Sequence, residues 1–277
     1  MGWDLTNDLE KYVRVTTPFL RSDRAGNTVL LSVLETLKLH GANAYGENAL
    51  FGWWRNGRGD VEGAFLQTPP RPLLLSAMPV RAARQLADAV PTHGITGVNA
   101  DNEAAEVFAN AWQLRTGIEN RLQMRQRLYR LEHLVEPKPL PPGAPRLASD
   151  HDFPLIYKWF GAFRDEAAAS GPVNAALVRS KVADRGIVLW DVDGTTVALV
   201  GRTRVIAGMT CISPVYTAPE HRRRGYGTAA TAAMTRSALE SADVVVLFTD
   251  LANPTSNSIY QHIGYRPVKD KVVLSFL

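Results

Sequence analysis

The sequence of 277 residues has a single cysteine, no long apolar run and only a small excess of positive charge. One cysteine, Cys211, excludes an intrachain disulfide and suits a reducing compartment. No stretch approaches the roughly 20 apolar residues of a membrane span. The N-terminus carries acidic residues in place of the basic-then-apolar pattern of a signal peptide. We therefore expect a cytoplasmic protein with no membrane partner.

Motifs for several other ligand classes are missing as well. The sequence has no Gly-Lys-Ser/Thr, which excludes a Walker-type phosphate loop. Asp150-His151-Asp152 is a possible metal cluster, but its place at the start of a predicted helix favours capping, and we expect no metal. The net charge of +4 is too small to indicate a nucleic-acid partner.

Length and composition indicate a globular protein with two domains. Hydrophobic residues make up 45% of the chain and charged residues 21%, which is ordinary for a protein that buries a sizeable core. Five prolines between Pro137 and Pro145 disfavour both helix and sheet interior. This composition predicts a first domain at residues 1–135, a linker at 136–146 and a second domain at 147–277.

Hydrophobic spacing predicts a similar series of elements in each half. In the first half, a helical repeat from Leu5 to Val13 precedes Pro18, and Asn56–Asp60 joins two strands as a hairpin. In the second half, a helix runs from Pro154 toward Ala169, and Asp193-Gly194 is a hairpin turn. The repeat predicts two domains of one architecture.

A long strand is predicted from about Arg204 to Thr217, with Ser213-Pro214 inside it. Proline donates no ladder hydrogen bond, so its presence predicts a β-bulge or a splayed edge at that point.

The basic turn after this strand is the most informative part of the sequence. Three arginines precede Gly225 and Gly227, and strong helix formers follow from Thr228. Glycines at a helix N-terminus let backbone N–H groups approach an anion, and the helix dipole adds positive charge there. The turn therefore indicates a pyrophosphate site, with a solvated basic turn as the alternative.

Two segments of the second half resemble the GNAT superfamily of N-acyltransferases. Val215–Gly227 is similar to the acyl-CoA-binding motif R/Q-x-x-G-x-G/A, in which Arg222, Gly225 and Gly227 fill the defined positions. Asn253–Tyr265 is similar to the segment N-x-x-A/S-x-x-x-Y-x-x-x-G-F/Y at every defined position. The two segments occur in the expected order, with an apolar strand between them.

The resemblance implies an α/β fold with a mixed sheet: two GNAT-like domains, each a central mixed β-sheet flanked by helices. In the first half, Met78–Arg84 lacks the glycine pair, and the helix at 102–117 has no tyrosine. We therefore interpret residues 1–135 as a degenerate GNAT-like domain without the cofactor motif. An unrelated α+β domain is the alternative.

The resemblance also implies a site for acetyl-CoA. Backbone groups of Val215, Tyr216 and Thr217 would hold the pantetheine arm. Main-chain N–H groups from Arg223 to Thr228 would bind the pyrophosphate, assisted by the side chains of Arg222 and Arg224. The cofactor-binding residues implied in this way are Val215, Tyr216, Thr217, Arg222, Arg223, Arg224, Gly225, Tyr226, Gly227, Thr228, Asn253 and Ser256.

Two residues are candidates for catalysis. Tyr260 falls on the superfamily tyrosine that protonates the leaving thiolate, and the alternative is a core aromatic packed near Ile263. Some members use a glutamate on the long strand as general base, but Thr210–Ser213 contains no carboxylate. Asp250 is a candidate base, directly or through water, and a cap for the following turn is the alternative.

The resemblance predicts an N-acetyltransferase that moves an acetyl group from acetyl-CoA to a primary amine of a small molecule or peptide. One alternative is a non-catalytic acyl-CoA-binding or interaction module. Another is a nicotinamide-dinucleotide enzyme, because Gly225–Ala230 fits a loose dinucleotide fingerprint. Pro219 and the arginines separate those glycines from the strand, which disfavours this reading. No motif identifies the acceptor.

Overall fold

The computed structural model describes residues 1–167 and 172–277 of the protein. The helices are α1 (Leu9–Ser22), α2 (Thr28–His40), α3 (Val80–Ala89), α4 (Asn102–Thr116), α5 (Phe153–Glu166), α6 (Ala175–Ala183), α7 (Tyr226–Leu239) and α8 (Pro254–His262). The strands are β1 (Gly2–Thr6), β2 (Leu50–Arg55), β3 (Val61–Gln67), β4 (Leu73–Leu75), β5 (Gly97–Asp101), β6 (Asn120–Leu131), β7 (Ala144–Leu147), β8 (Ile187–Val192), β9 (Thr195–Arg202), β10 (Met209–Thr217), β11 (Val244–Asp250) and β12 (Tyr265–Phe276).

The two halves of the chain repeat one order of elements. Each half consists of a strand, two helices, three strands, a helix, a strand, a helix and a closing strand. Pairing is mixed in both halves, since β4 and β5 are parallel while β3 and β4 are antiparallel, and β10 is parallel to β11 but antiparallel to β9. The predicted fold class, with mixed sheets flanked by helices and repeated twice, is confirmed.

The chain divides into two compact units that are not contiguous in sequence. The first contains Met1–Leu128, Asp250–Ala252 and Lys269–Leu277, and the second contains Tyr129–Thr249 and Asn253–Val268. In the first unit, the end of β12 pairs antiparallel with β5, from Lys271 opposite Asp101 to Ser275 opposite Gly97. The domain division expected from the proline-rich segment stays a prediction. The two compact units have other bounds, because residues 250–252 and the end of β12 from residue 269 group with the first unit.

The first unit has its core between helices α3 and α4 and the strands that they cover. Trp112 stacks on Phe108 and on Phe276 within it. The sequence placed Leu5 in a helical repeat, which is wrong, because Gly2–Thr6 pairs with β2 as a strand. Helix α1 also continues past Pro18 to Ser22. Pairing with a strand some 50 residues away is invisible to local spacing.

The second unit has cores on both faces of its strands. Helices α7 and α8 pack against one face, where Met234 and Ile263 are buried. Helices α5 and α6 pack against the other face. The predicted capping role before α5 is confirmed, because the side chains of Ser149 and Asp152 form a capping box. The predicted end of this helix near Ala169 lies outside the described residues.

The proline-rich segment is attached along its length to the second unit. The N–H of Val135 donates to the oxygen of Ile263, and Glu136 pairs with Arg236 at 2.5 Å. The indole N–H of Trp190 donates to Pro142, and β7 then pairs with β8. Packing and hydrogen bonds therefore fix a segment whose composition alone is typical of a linker.

The strand predicted from Arg204 begins only at Met209, because a tight turn with Ala207 and Gly208 in the left-handed region precedes it. Within the strand, Ile212 lies opposite Arg202, whereas Val215 lies opposite Val200. Strand β10 therefore holds one more residue than β9 over this interval, and the bulge predicted at Ser213-Pro214 is confirmed. Both predicted hairpins are confirmed as well.

Within residues 1–167 and 172–277, no helix combines the length and hydropathy needed to cross a membrane.

Buried tyrosines predict a loss of stability in alkaline solution. Burial raises the pKa of Tyr12, Tyr260 and Tyr265 above the ordinary phenol value. Above about pH 10 the unfolded chain releases these protons while the folded protein keeps them. The free energy of unfolding should therefore fall by about 1.4 kcal/mol per pH unit for each tyrosine. Urea titrations between about pH 9 and 11 measure this slope.

The matched variant is Tyr265→Phe, which removes one of the three phenols. Its slope should be shallower by one tyrosine's share, about 1.4 kcal/mol per pH unit. An identical slope in the variant would contradict the assignment.

Candidate functional site

Strands β10 and β11 separate at the bulge. Their parallel ladder covers Met209–Ile212 opposite Val244–Leu247, and in the described part of the chain it ends there. Beyond the bulge, β10 pairs with β9 alone among the described residues, from Val215 to Thr217. The residues Val215–Thr217 therefore have no strand partner on the side of β11 among the described residues, and this unpaired interval is called the gap below.

The backbone of β10 offers hydrogen-bonding groups to this gap. The N–H of Ala218 donates to Val197 of β9. Because N–H and C=O groups alternate in direction along a strand, those of Val215 and Thr217 point away from β9, toward the gap. The oxygen of Thr217 accepts a hydrogen bond from Nε of Arg222 at 3.0 Å. Val215 and the N–H of Thr217 thus remain for a ligand.

Helix α7 begins with a run of unpaired backbone donors. Gly225, its N-cap, has φ of 83°, and Arg223 has φ of 62°, so both lie in the left-handed region. Among the described residues, the N–H groups of 223–228 have no hydrogen-bond acceptor, and no side chain caps the helix. Successive free N–H groups at a helix start form an anion site, with the helix dipole adding positive charge.

Glycine is required at residues 225 and 227 for two different physical reasons. A Cβ at Gly227 would lie 2.9 Å from Oγ1 of Thr217, so the residue lets the helix approach the strand. A Cβ at Gly225 would meet only the ring of Pro141, at 3.9 Å or more, but the left-handed backbone there favours glycine.

The three arginines of the turn differ in their contacts. The guanidinium of Arg222 donates to Glu166 at 2.7 Å and lies over the ring of Tyr216 at 5.6 Å. The bond to Glu166 raises the pKa of Arg222. Arg223 and Arg224 are exposed and make no ion pair within the described residues. Of the two side chains expected to assist at the pyrophosphate, Arg224 is available and Arg222 is engaged with protein atoms.

Two aromatic residues of the predicted site turn their side chains into the protein. Tyr216 is buried against Trp159 at 5.5 Å between ring centroids, on the face covered by α5. Tyr226, the first residue of α7, is buried in the core. Their side chains serve packing, so only their main-chain groups are available to a ligand.

Tyr260 lies in the same core cluster as Ile212. Val215 packs against that cluster. It is 7% exposed and meets Tyr265 edge-on at 6.3 Å. Its hydroxyl has no hydrogen-bond partner among the described residues and is not one of the fully enclosed polar atoms. Burial raises the pKa of Tyr260 to about 12. The phenol therefore stays protonated in the neutral range, and its role as a proton donor stays a prediction.

The remaining residues of the second motif shape helix α8. Asn253 is its N-cap, and its side chain accepts from the N–H of Ser256 at 3.0 Å. Gly264 has φ of 102°, and a Cβ there would clash with the oxygen of His133. The structure gives Asn253 and Gly264 roles in the local fold, and the predicted part of Asn253 and Ser256 in cofactor binding stays a prediction.

Asp250 belongs to the first compact unit, whereas the other predicted site residues belong to the second. Its Oδ1 accepts from the N–H of Ala252 at 2.8 Å, as a side-chain cap of the turn. This geometry matches the capping alternative, and a role as general base stays a prediction.

Two basic residues near the bulge belong to no recognised motif, and they were not identified from the sequence. Lys181 of α6 donates to the oxygen of Arg202, the last residue of β9, at 2.7 Å. Arg202 lies opposite Ile212, just before the bulge. Only the pairing of β9 with β10 brings them to the site, so no local signal marks them.

A bulge that parts two parallel strands, followed by a glycine-rich helix start, is the arrangement of a GNAT-type α/β fold. The comparisons agree with this geometry. Residues 192–274 match the family model described as FR47-like protein. Comparison with curated protein sequences gave no match. The matched residues include both segments of the second half that resemble the GNAT superfamily.

Solved structures share the fold over nearly the whole chain. A GCN5-related N-acetyltransferase from Sphaerobacter thermophilus is similar with a TM-score of 0.64 and 15% identity, covering 99% of this chain and 95% of that one. A GNAT-family acetyltransferase from Colwellia psychrerythraea has a TM-score of 0.59 and 12% identity, covering all of both chains. A tandem GNAT protein from the clavulanic acid biosynthesis pathway has a TM-score of 0.53 and 12% identity, covering 100% and 98%.

Gly264 provides a test of the local role of its motif. The Gly264→Ala variant places a Cβ against the oxygen of His133 and needs a positive φ. We expect a loss of more than about 2 kcal/mol in the free energy of unfolding. The control is Gly161→Ala in the middle of α5, where a Cβ meets no atom within 4 Å. Chemical denaturation compares the two, and equal stabilities would refute the clash.

Proposed function

We propose that this protein is an N-acetyltransferase that moves the acetyl group of acetyl-CoA to a primary amine of a small molecule or peptide. The observation that carries the proposal is the row of unpaired N–H groups at residues 223–228. Backbone donors left without partners fit an anion that the protein is built to bind. The exposed cations Arg223 and Arg224 favour a doubly charged group such as a pyrophosphate.

The gap between β10 and β11 supports coenzyme A as the source of that pyrophosphate. It begins at the bulge and runs along β10 toward Thr217, a few residues before the free N–H groups. A pantetheine arm contains amides, which pair with strand edges as a peptide does. The groups of Val215 and Thr217 that face the gap supply such an edge.

The reaction forms a C–N bond and breaks the C–S bond of the thioester. The amine attacks the thioester carbonyl in its neutral form, loses one proton, and coenzyme A leaves as a thiolate that gains one. Products are the N-acetyl amide and free coenzyme A. The chain therefore has to supply a proton donor near the sulfur and a route for the amine's proton.

Tyr260 is the proposed proton donor. With a pKa of about 12 it stays protonated throughout the neutral range. Full transfer to a thiolate whose conjugate thiol has a pKa of about 8.5 is uphill by about 5 kcal/mol. The phenol thus acts chiefly by donating a hydrogen bond to sulfur as charge develops, and solvent completes the protonation. Asp250 remains the proposed acceptor of the amine's proton, directly or through water.

The first half of the chain is proposed to be a GNAT-like domain without a cofactor site. Pro79 stands at the N-cap of α3, where a proline supplies no N–H. Its oxygen accepts from Ala82 and Ala83, and no glycine opens the helix. The features that form the anion site before α7 are thus missing at the equivalent place.

The Gly225→Asp variant tests the cofactor site. A carboxylate at the helix start repels a diphosphate, and such like-charge contacts cost several kcal/mol. We expect the dissociation constant of acetyl-CoA to rise by about 100-fold or more, measured by calorimetry.

The control is Gly194→Asp, in the β8–β9 hairpin. Gly194 and Gly225 have φ of 79° and 83°, so both variants carry similar backbone strain. The Gly194 variant should bind acetyl-CoA as the wild type does. Unchanged affinity in the Gly225 variant would refute the proposed site, and NADH binding that is lost in that variant alone would favour a dinucleotide enzyme.

The Tyr260→Phe variant tests the proton donor. It keeps the ring in the core and removes only the hydroxyl. We expect kcat to fall by about 100-fold or more while the affinity for acetyl-CoA changes little, as for loss of a general acid. Release of free thiol from acetyl-CoA with a panel of amines measures the rate.

Tyr265→Phe is the matched control, because its hydroxyl is hydrogen-bonded to Thr235 at 2.7 Å in the core. It should lower stability and leave kcat near the wild-type value. Equal rates for Tyr260→Phe and the wild type would remove Tyr260 from the mechanism. Acetyl-CoA binding without thiol release for any amine would favour the non-catalytic acyl-CoA-binding module.

A further inference from the structure

Arg202 occupies the end of β9 directly beside the bulge. A Cβ at the preceding Gly201 would lie 2.8 Å from the oxygen of Ser213 and 2.9 Å from Cδ of Pro214. Arg202 itself pairs with Ile212, the last residue of β10 before the extra residue. In the proposed function the thioester lies at the gap on the other side of β10, so Arg202 is one strand away from it, about 5 Å across the sheet.

Helix α6 brings a second cation to the same place. Nζ of Lys181 donates to the oxygen of Arg202 at 2.7 Å. Gly186 links the two residues further, since its N–H donates to Lys181 and its oxygen accepts from Arg202, at 2.9 and 2.8 Å. Both basic side chains are only partly exposed. These bonds hold the Lys181 ammonium at the backbone of Arg202, and the charge of Arg202 is near enough to lower the pKa of Lys181.

These two cations have no carboxylate bonded to them in the described part of the chain. Nε of Arg202 is fully buried without a partner, and its Nη1 reaches only the oxygen of Thr203, at 3.3 Å. The acid whose charge acts on both is Asp184, and its carboxylate pairs with Arg204 at 2.6 Å. Donors therefore outnumber acceptors here.

The surroundings make this positive charge unfavourable. Burial lowers the pKa of Lys181 to about 8, with the charge of Arg202 contributing, and burial also lowers the pKa of Arg202. Cys211 supplies no negative charge, because burial raises the pKa of its thiol to about 12. A bound anion would restore the missing charge and accept the free N–H.

We propose that Arg202 and Lys181 form an anion subsite that holds the negatively charged group of the acceptor. The acceptor class is then an amine that also carries a carboxylate or a phosphate. This rests on the proposed function for the identity of the ligand, whereas the subsite itself follows from the charges and donors around Arg202.

Labelling of Lys181 tests the subsite without knowledge of the acceptor. The probe is inorganic phosphate at constant ionic strength, near neutral pH. An N-hydroxysuccinimide ester acylates neutral amines, and mass spectrometry reports the rate at each lysine. A bound anion favours the charged amine, and a rise of one unit in its pKa lowers the neutral fraction about tenfold. We expect about that protection at Lys181 and little at the exposed Lys158.

The variants separate the subsite from general electrostatics. Arg202→Gln should abolish the protection by phosphate. Arg179→Gln, which removes another cation of α6 whose guanidinium lies over the ring of Phe153, should retain it. Wild-type protein whose Lys181 is labelled equally fast with and without phosphate would overturn the proposal, and that measurement needs no variant to fold.

Matched pairs of amines then test the acceptor class and distinguish a carboxylate from a phosphate. One pair is an amino acid and its amide, and the other is phosphoethanolamine and ethanolamine. We expect kcat/KM to favour one anionic member by about tenfold or more in the wild type, as for a lost charge-assisted contact. The preference should disappear in Arg202→Gln. Equal use of charged and neutral amines would refute the assignment to the acceptor.

The two proposals fail in different ways. If phosphate protects Lys181 but the protein does not bind acetyl-CoA, the anion subsite is supported and the transferase proposal is refuted. If the protein binds acetyl-CoA but phosphate does not change the labelling of Lys181, the cofactor site is supported and the anion subsite is refuted. In Gly225→Asp the protection should persist, because that variant alters only the start of α7.

Discussion

One extra residue in β10 determines the rest of the site. Ile212 and Val215 of β10 face Arg202 and Val200 of β9, and the parallel ladder with β11 ends at Ile212. A sheet interior normally pairs every backbone group, so the bulge is what leaves an edge of β10 open inside the protein. The gap, the exposed edge and the nearby end of β9 all follow from it.

The start of α7 depends on the same strand. Gly227 approaches Oγ1 of Thr217 so closely that a side chain would have to displace it. This contact holds the free N–H groups of residues 223–228 near the end of the open edge. Arg222 adds to the hold, because it joins Thr217 to Glu166 of α5. Arg222, which the motif assigns to anion binding, thus stabilises the turn. The partial positive charge at the start of α7 comes from the unpaired N–H groups.

Burial divides the ionisable groups of the second unit into two kinds. Around Tyr260 it favours the neutral form of a donor, which suits a phenol that must keep its proton. Around Lys181 and Arg202 it disfavours cations that have no acid bonded to them within the described residues. The first environment keeps the Tyr260 phenol protonated, and the second holds two cations whose acidic neighbour, Asp184, pairs with Arg204.

The sequence by itself determined the elements whose signals are local. The Asp193-Gly194 hairpin, the bulge at Ser213-Pro214 and the glycines before α7 depend on backbone preferences of neighbouring residues, and these were predictable. For the candidate site, it also pointed to Tyr260 and to the run from Arg223 to Thr228, whose roles stay predictions. Only the tertiary structure decided the strand at Gly2–Thr6, the pairing of β12 with β5, and the meeting of Lys181 with Arg202. Each of these joins residues distant in the chain, and such contacts depend on which surfaces pack together, which local spacing does not record.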